Sequence, residues 1–135
     1  MSRRQIRVVG AMLERDTGRY LITQRSRHSS LPMLWEFPGG RVNDGETDVE
    51  ALRREIKERL ALDIIVEHEA MLTRHEYPSY DVDFRVFHCR LVDAGQPVSH
   101  ARVNDHRWVD LAEMSEYKFP DADAKTLAKL LDLED

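Results

Sequence analysis

Glu55 and Glu58 lie three residues apart in a stretch that reads as a helix, and Gly39-Gly40 and Gly45-Glu46 precede it. Two carboxylates at that spacing share one wedge of a helix, beside an apolar stripe of Val49, Leu52, Ile56 and Leu60. Such a pair suits a hard divalent cation such as Mg²⁺. The glycines let backbone approach a phosphate or metal closely, and a helix N-terminus favours anions. The pattern is a candidate site for a divalent cation or a phosphate. Paired glutamates on a helix flank, taken alone, are usually solvated surface.

The elements that must position these groups follow from the pattern around them. Thr47-Asp48-Val49-Glu50 is a capping box, which predicts a helix over Asp48 to Leu60 packed through Val49, Leu52 and Ile56. Ile6 to Leu13 and Tyr20 to Gln24 read as strands joined by turn chemistry at Asp16-Thr17-Gly18-Arg19. His28 to Leu34 is a loop, and Trp35-Glu36-Phe37 is a short apolar piece stopped by Pro38-Gly39-Gly40. Ile64 to Val66 and Met71 to Arg74 read as extended. Tyr80 to Leu91 alternates and then slips phase, which predicts either a bulge or burial on both faces. A polar loop covers 93–105, His106 to Val109 is a short strand, and Leu127, Leu130 and Leu131 give a last helix its apolar face. The expected class is α/β, one domain over residues 1–135, with a curved mixed sheet sandwiched between α-helices.

Gly40, five residues, Glu46, seven residues, then Arg54-Glu55-Ile56 and Glu58 resembles the Nudix box, G-x5-E-x7-R-E-U-x-E-E-x-G-U, with U aliphatic; Leu62 fits the last position. Leu34 to Gly40 looks like the lead-in of MutT-like and CTP-pyrophosphohydrolase-like members. Leu21 to Arg25, Arg107-Trp108-Val109 and Phe119 to Asp123 extend the likeness along nearly the whole chain. The resemblance implies the Nudix fold and hydrolysis of a nucleoside triphosphate or related diphosphate derivative, with Mg²⁺ or Mn²⁺. It implies that Glu46 and Arg54 brace the loop. Glu55 is then a base candidate or metal contact, and Glu58 and the Gly39 carbonyl are metal ligands. Arg25 and Arg41 would meet phosphates, or be solvated side chains. Phe37 would stack on the base, as would Trp35 or Phe119, unless these rings are core. Asp123 would read the base edge or cap the last helix.

The chain departs from the box at Arg59, where a ligand glutamate belongs, and at Ala61, where a glycine belongs. Arg102 stands near a third expected glutamate. These arginines imply weak metal binding and weakened hydrolysis. They also leave open a degenerate domain that binds a nucleotide, with guanidinium forks on a diphosphate, as sensor or interaction module.

Composition narrows the partners. A net charge of −5 argues against a non-specific grip on a nucleic-acid polymer. No apolar run approaches a membrane span, and the basic N-terminal residues lack a signal-peptide apolar region. Cys89 is the only cysteine, which fits a reducing, cytoplasmic compartment; the resemblance implies a monomer or a homodimer. The six histidines are scattered along the sequence without close pairing, so no zinc site is expected.

Overall fold

The computed structural model describes residues 4–78 and 80–120. The C-terminal helix expected around Leu127 to Leu131, and Asp123, lie outside the described residues. Strands β1 (Arg4–Arg15), β2 (Arg19–Gln24), β3 (Trp35–Glu36) and β4 (Gly39–Arg41) lead into helix α1 (Asp48–Leu60). Strands β5 (Ile64–Glu76), β6 (Tyr80–Leu91) and β7 (Asp105–Val109) and a short 3₁₀ turn, Glu113–Glu116, follow. The sheet order is β3-β2-β1-β6-β5, with β4 also on β1 and β7 also on β2. β1 runs parallel to β6 and every other pairing is antiparallel, so the sheet is mixed, as the element pattern predicts.

β1 is buried on both faces. Val9, Ala11 and Leu13 pack with Leu21 against Leu52, Ile56 and Leu60 of α1, and Ile6 and Val8 join Tyr77, Tyr80 and Val82 on the other side. The phase slip in β6 has the same cause. Its pairing with β1 is continuous from Tyr80 to Arg90. Val82 faces one cluster and Cys89 the other. The irregularities lie on the neighbouring strand, where Glu67 and Ala70 are extra residues opposite an unbroken β6. They bend β5 without ending it, so the two extended pieces read from sequence are one strand.

Helix α1 has the predicted bounds and cap. Glu50 N–H donates to Thr47 Oγ1 (3.1 Å) and Thr47 N–H to Glu50 Oε1 (2.9 Å). The expectation for Val49 needs correction: it is 39% exposed. The buried arc is centred on Leu52 and extends from Leu60 to Ala51 and Glu55. Val49, in the first turn near the edge of that arc, is only partly covered. Small Ala51 and the glycines of β4 bring the helix close to the sheet on its other edge.

Ala61, in place of the box glycine, caps the helix with a left-handed φ of 57°. An L-residue pays about 1–2 kcal/mol there, partly offset by the flexibility glycine adds to the unfolded chain. Ala61→Gly is therefore expected to raise stability by roughly 0.5–1 kcal/mol, read as a higher urea midpoint. An unchanged or lower midpoint would show that the cap is not strained.

Candidate functional site

The box loop is held by one guanidinium. Arg54 Nε and Nη2 donate to the two oxygens of Glu46 (2.7 and 3.0 Å), and Nη2 also donates to the Arg41 carbonyl (3.0 Å). Glu46 Oε1 accepts from Asn43 N–H. These contacts, the Arg54 bond first, hold Glu46 below the usual carboxylate range, and the same ion pair raises Arg54 above the usual guanidinium value. Arg54 thus fastens α1 to the loop after β4, in the geometry of the implied brace.

The glycines have separate reasons. A Cβ on Gly39 would lie 1.9 Å from the Val9 carbonyl oxygen, so β1 itself excludes a side chain. A Cβ on Gly40 would lie 2.4 Å from Glu55 Cδ. The space beside Gly40 is therefore filled by the Glu55 carboxylate. That group is brought in by the buried edge of α1, and Glu55 is only 8% exposed.

Both oxygens of Glu55 are engaged. Arg54 Nη1 donates to Oε1 (2.9 Å) and Arg59 Nε to Oε2 (2.7 Å). Glu58 Oε2 accepts from the same Arg54 Nη1 (3.4 Å) and from Arg102 Nη1 (3.5 Å). One guanidinium nitrogen therefore bridges Glu55 and Glu58, and Arg59 and Arg102 close the cluster from either side. The loop after β6 carries Arg102 there by bonding the end of α1: Ser99 N–H donates to the Leu60 carbonyl and Arg102 N–H to the Arg59 carbonyl.

The other expected residues lie at different distances from this centre. Arg25 donates to the Ser30 carbonyl, Ser30 Oγ and Glu36 Oε1 (3.2 Å), so it is bound to its own loop. Arg41 pairs in register with Val8, which places it on the sheet face away from Glu55. There it lines an open cavity of about 410 Å³ with Arg4, Arg7 and Asn43. Phe37 meets Phe119 edge-on at 6.0 Å, and Trp35 meets Tyr117 at 5.0 Å.

Two groups escaped the sequence reading. Glu36, read only as part of a short apolar piece, faces Arg25. Burial pushes its carboxyl above the usual range against the opposing pull of Arg25 and Arg59. Its charge between two aromatic residues was the available signal. The register aligns Glu36 with Thr23, and Thr23 with His106, on one face. Thr23 Oγ1 is buried with no hydrogen-bond partner among the described residues.

The histidines are scattered in sequence but not in space. His68 stacks on His88, and the two ring nitrogens of His88 meet Glu67 and Glu14 at 2.7 and 2.8 Å. His100 Nε2 lies 2.7 Å from His106 Nδ1. β-pairing and loop closure bring together residues that no short spacing pairs. Cys89, by contrast, is buried, and its thiol is pushed up to about 12 by burial, so it is no nucleophile.

By chemistry, Glu55, Glu58 and a backbone carbonyl suit Mg²⁺ or Mn²⁺. By charge, the match is poor. Glu46, Glu55 and Glu58 are balanced by Arg54, Arg59 and Arg102, all within the contacts given above. A divalent ion there has to displace guanidinium from both oxygens of Glu55.

A family model described as NUDIX domain matches residues 8–129. The chain is 29% identical to an 8-oxo-dGTP diphosphatase of Haemophilus influenzae, covering 97% of this chain and 95% of that protein. It is 29% identical to a CTP pyrophosphohydrolase of Escherichia coli, with 96% and 94% covered. The solution structure of the E. coli ORF135 protein superposes with a TM-score of 0.75 at 28% identity, over 96% of this chain and 91% of that one.

Proposed function

The chain belongs to the NUDIX domain family and is a hydrolase of that family; on that premise we propose that it cleaves a nucleoside triphosphate to the nucleoside monophosphate and pyrophosphate, slowly and with a high demand for metal. The observation that carries this reading is Glu55. It is buried against Gly40, beside Glu58, with every charge of the cluster neutralised by arginine. The substrate class rests on relatives whose names specify 8-oxo-dGTP and CTP. Bound Mg²⁺ or Mn²⁺, held by Glu55, Glu58 and the Gly39 carbonyl, would supply charge neutralisation at phosphate oxygens and activation of water.

The remaining chemistry falls to the chain. A diphosphate competes with the glutamates for Arg59 and Arg102, whose forks suit phosphate oxygens. Freed of Arg59, Glu55 becomes a carboxylate able to take a proton. Arg25 and Arg41 serve the phosphates only by leaving their present surroundings. Phe37 is assigned to the base, with Asp123 at its edge. The protein acts on small nucleotides, not polymers, as a cytoplasmic monomer or homodimer. Among the described residues, no helix is long and apolar enough to cross a membrane.

The test is a panel of natural triphosphates with 8-oxo-dGTP, followed by product chromatography in Mg²⁺ and then Mn²⁺. Monophosphate and pyrophosphate are expected, at a rate still rising through millimolar metal. Glu58→Gln should lower that rate at least a hundredfold. A second reading rests on the same neutralised cluster: nucleotide binding without turnover. Calorimetric binding in the absence of metal, with no product under any condition, would establish that reading and end the first.

A further inference from the structure

We propose that His100, Asp105 and His106 form a site for a transition-metal ion of the zinc type, distinct from the glutamate cluster on α1. His100 Nε2 and His106 Nδ1 lie 2.7 Å apart. One ligand atom from each of His100, Asp105 and His106 lies within 4.8 Å of the other two. Two imidazoles and one carboxylate are the donors that Zn²⁺, Co²⁺ and Ni²⁺ prefer over Mg²⁺. Three protein ligands with one open position is a common zinc arrangement.

The geometry is close to what an ion needs. With Zn–N bonds of about 2.0–2.1 Å and tetrahedral angles, two ligand nitrogens sit roughly 3.3 Å apart. The rings have to part by only about 0.6 Å. At 2.7 Å the two nitrogens cannot both present lone pairs to each other, so one carries the proton between them. An ion takes the place of that proton, which moves to the far nitrogen of its own ring, so that His100 carries its hydrogen on Nδ1 and His106 on Nε2. No net proton release is needed from two neutral rings.

The surroundings hold the ligands in place. His106 and Asp105 belong to β7, paired in register with Thr23 and Gln24. Asp105 is oriented by Arg107 Nη1 (2.7 Å) and by the His106 N–H (2.8 Å). Such outer contacts fix carboxylate ligands. His100 comes from the loop that Ser99 and Arg102 tie to the end of α1, and Asn104 N–H bonds the Gln24 carbonyl. An ion here clasps the two ends of the segment that carries Arg102 to Glu58.

The other histidine cluster is less suited. Each ring nitrogen of His88 already meets a carboxylate, and Arg90 lies 3.3 Å from Glu67 and 3.6 Å from Glu14. Both His88 nitrogens are therefore already engaged, and both carboxylates there are shared with Arg90.

The experiment titrates the metal-stripped full chain with Zn²⁺ by calorimetry, and with Co²⁺ by visible absorption, without nucleotide. One equivalent is expected to bind, with a low-symmetry Co²⁺ spectrum. His100→Gln and His106→Gln should each weaken binding at least tenfold, while Glu58→Gln and His88→Gln leave it unchanged. Imidazole NMR shifts in the wild type should move for His100 and His106 alone, which keeps the test open if a variant folds poorly. Binding that is lost with His88→Gln or Glu58→Gln, or no binding at a hundred micromolar zinc, overturns the proposal. None of these outcomes depends on nucleotide hydrolysis.

Discussion

Arg59→Glu is expected to turn a site that takes Mg²⁺ only weakly into one that binds it well, so that nucleotide binding, which gains little from Mg²⁺ in the wild type, becomes clearly metal-dependent and turnover saturates at lower metal. In the wild type, Arg59 Nε lies 2.7 Å from Glu55 Oε2, and that carboxylate is nearly buried. A divalent ion on Glu55 would have a positive charge about 6 Å away, a penalty of roughly 5 kcal/mol at an effective dielectric near 20. Arg59 can swing into solvent, which lowers that figure. The substitution changes the local charge by two units and adds an oxygen ligand. A gain in metal affinity on the order of a hundredfold or more is the expected direction and size. Arg102 holds Glu58 from the other side. Arg59→Glu combined with Arg102→Glu should therefore exceed the sum of the single changes, since they act on one coupled cluster. The measurement is binding of a non-hydrolysable triphosphate across a Mg²⁺ series, with turnover of the natural triphosphates. Strong Mg²⁺-dependent turnover by the wild type, unaffected by Arg59→Glu, would show that Arg59 already leaves Glu55 when substrate arrives.

Gly39→Ala is expected to cost on the order of 4 kcal/mol of stability, more than Gly40→Ala at the adjacent position. The added methyl at Gly39 meets backbone: the Val9 carbonyl at 1.9 Å and Gly10 Cα at 2.7 Å. Gly39 and Gly10 are paired partners between β4 and β1, so neither strand can retreat without opening the ladder. Ordinary overpacking costs about 1–3 kcal/mol because side chains give way; here none is available to move. At Gly40 the methyl meets the Glu55 carboxyl, the far end of a side chain. Gly40→Ala should lose only about 1–2 kcal/mol but displace Glu55, and so remove any metal-dependent turnover. Urea midpoints at constant slope separate the two. Equal midpoints would mean that the β1–β4 approach is softer than it looks.

Much of the fold was legible because its signals are local. The Thr47–Glu50 capping box, the 3.6-residue apolar spacing and the glycine stops set α1 and its lead-in at the observed residues. Glu46 and Arg54 could be paired because the resemblance supplied a partner that composition does not. Val49 was misplaced because periodicity gives an arc without saying how the helix leans. That lean follows from the close approach of Ala51 and Glu55 to β4.

What the sequence determined by itself was the set of donors and the order of the elements: glutamates at Glu55 and Glu58, arginines at Arg59 and Arg102, and strands around one capped helix. The Glu55–Arg59 pair follows from i,i+4 spacing on the helix, and the structure adds that Glu55 is buried. Only the tertiary structure decided the longer-range meetings: Arg102 reaches Glu58 because a loop about forty residues later bonds the end of α1. Arg41 falls on the far face because register with Val8 puts it there. His100 and His106 close on each other across a loop end. Pair energies depend on distance and burial, and both are fixed by strand register and loop closure among residues far apart in the chain. Residue type and spacing carry neither quantity.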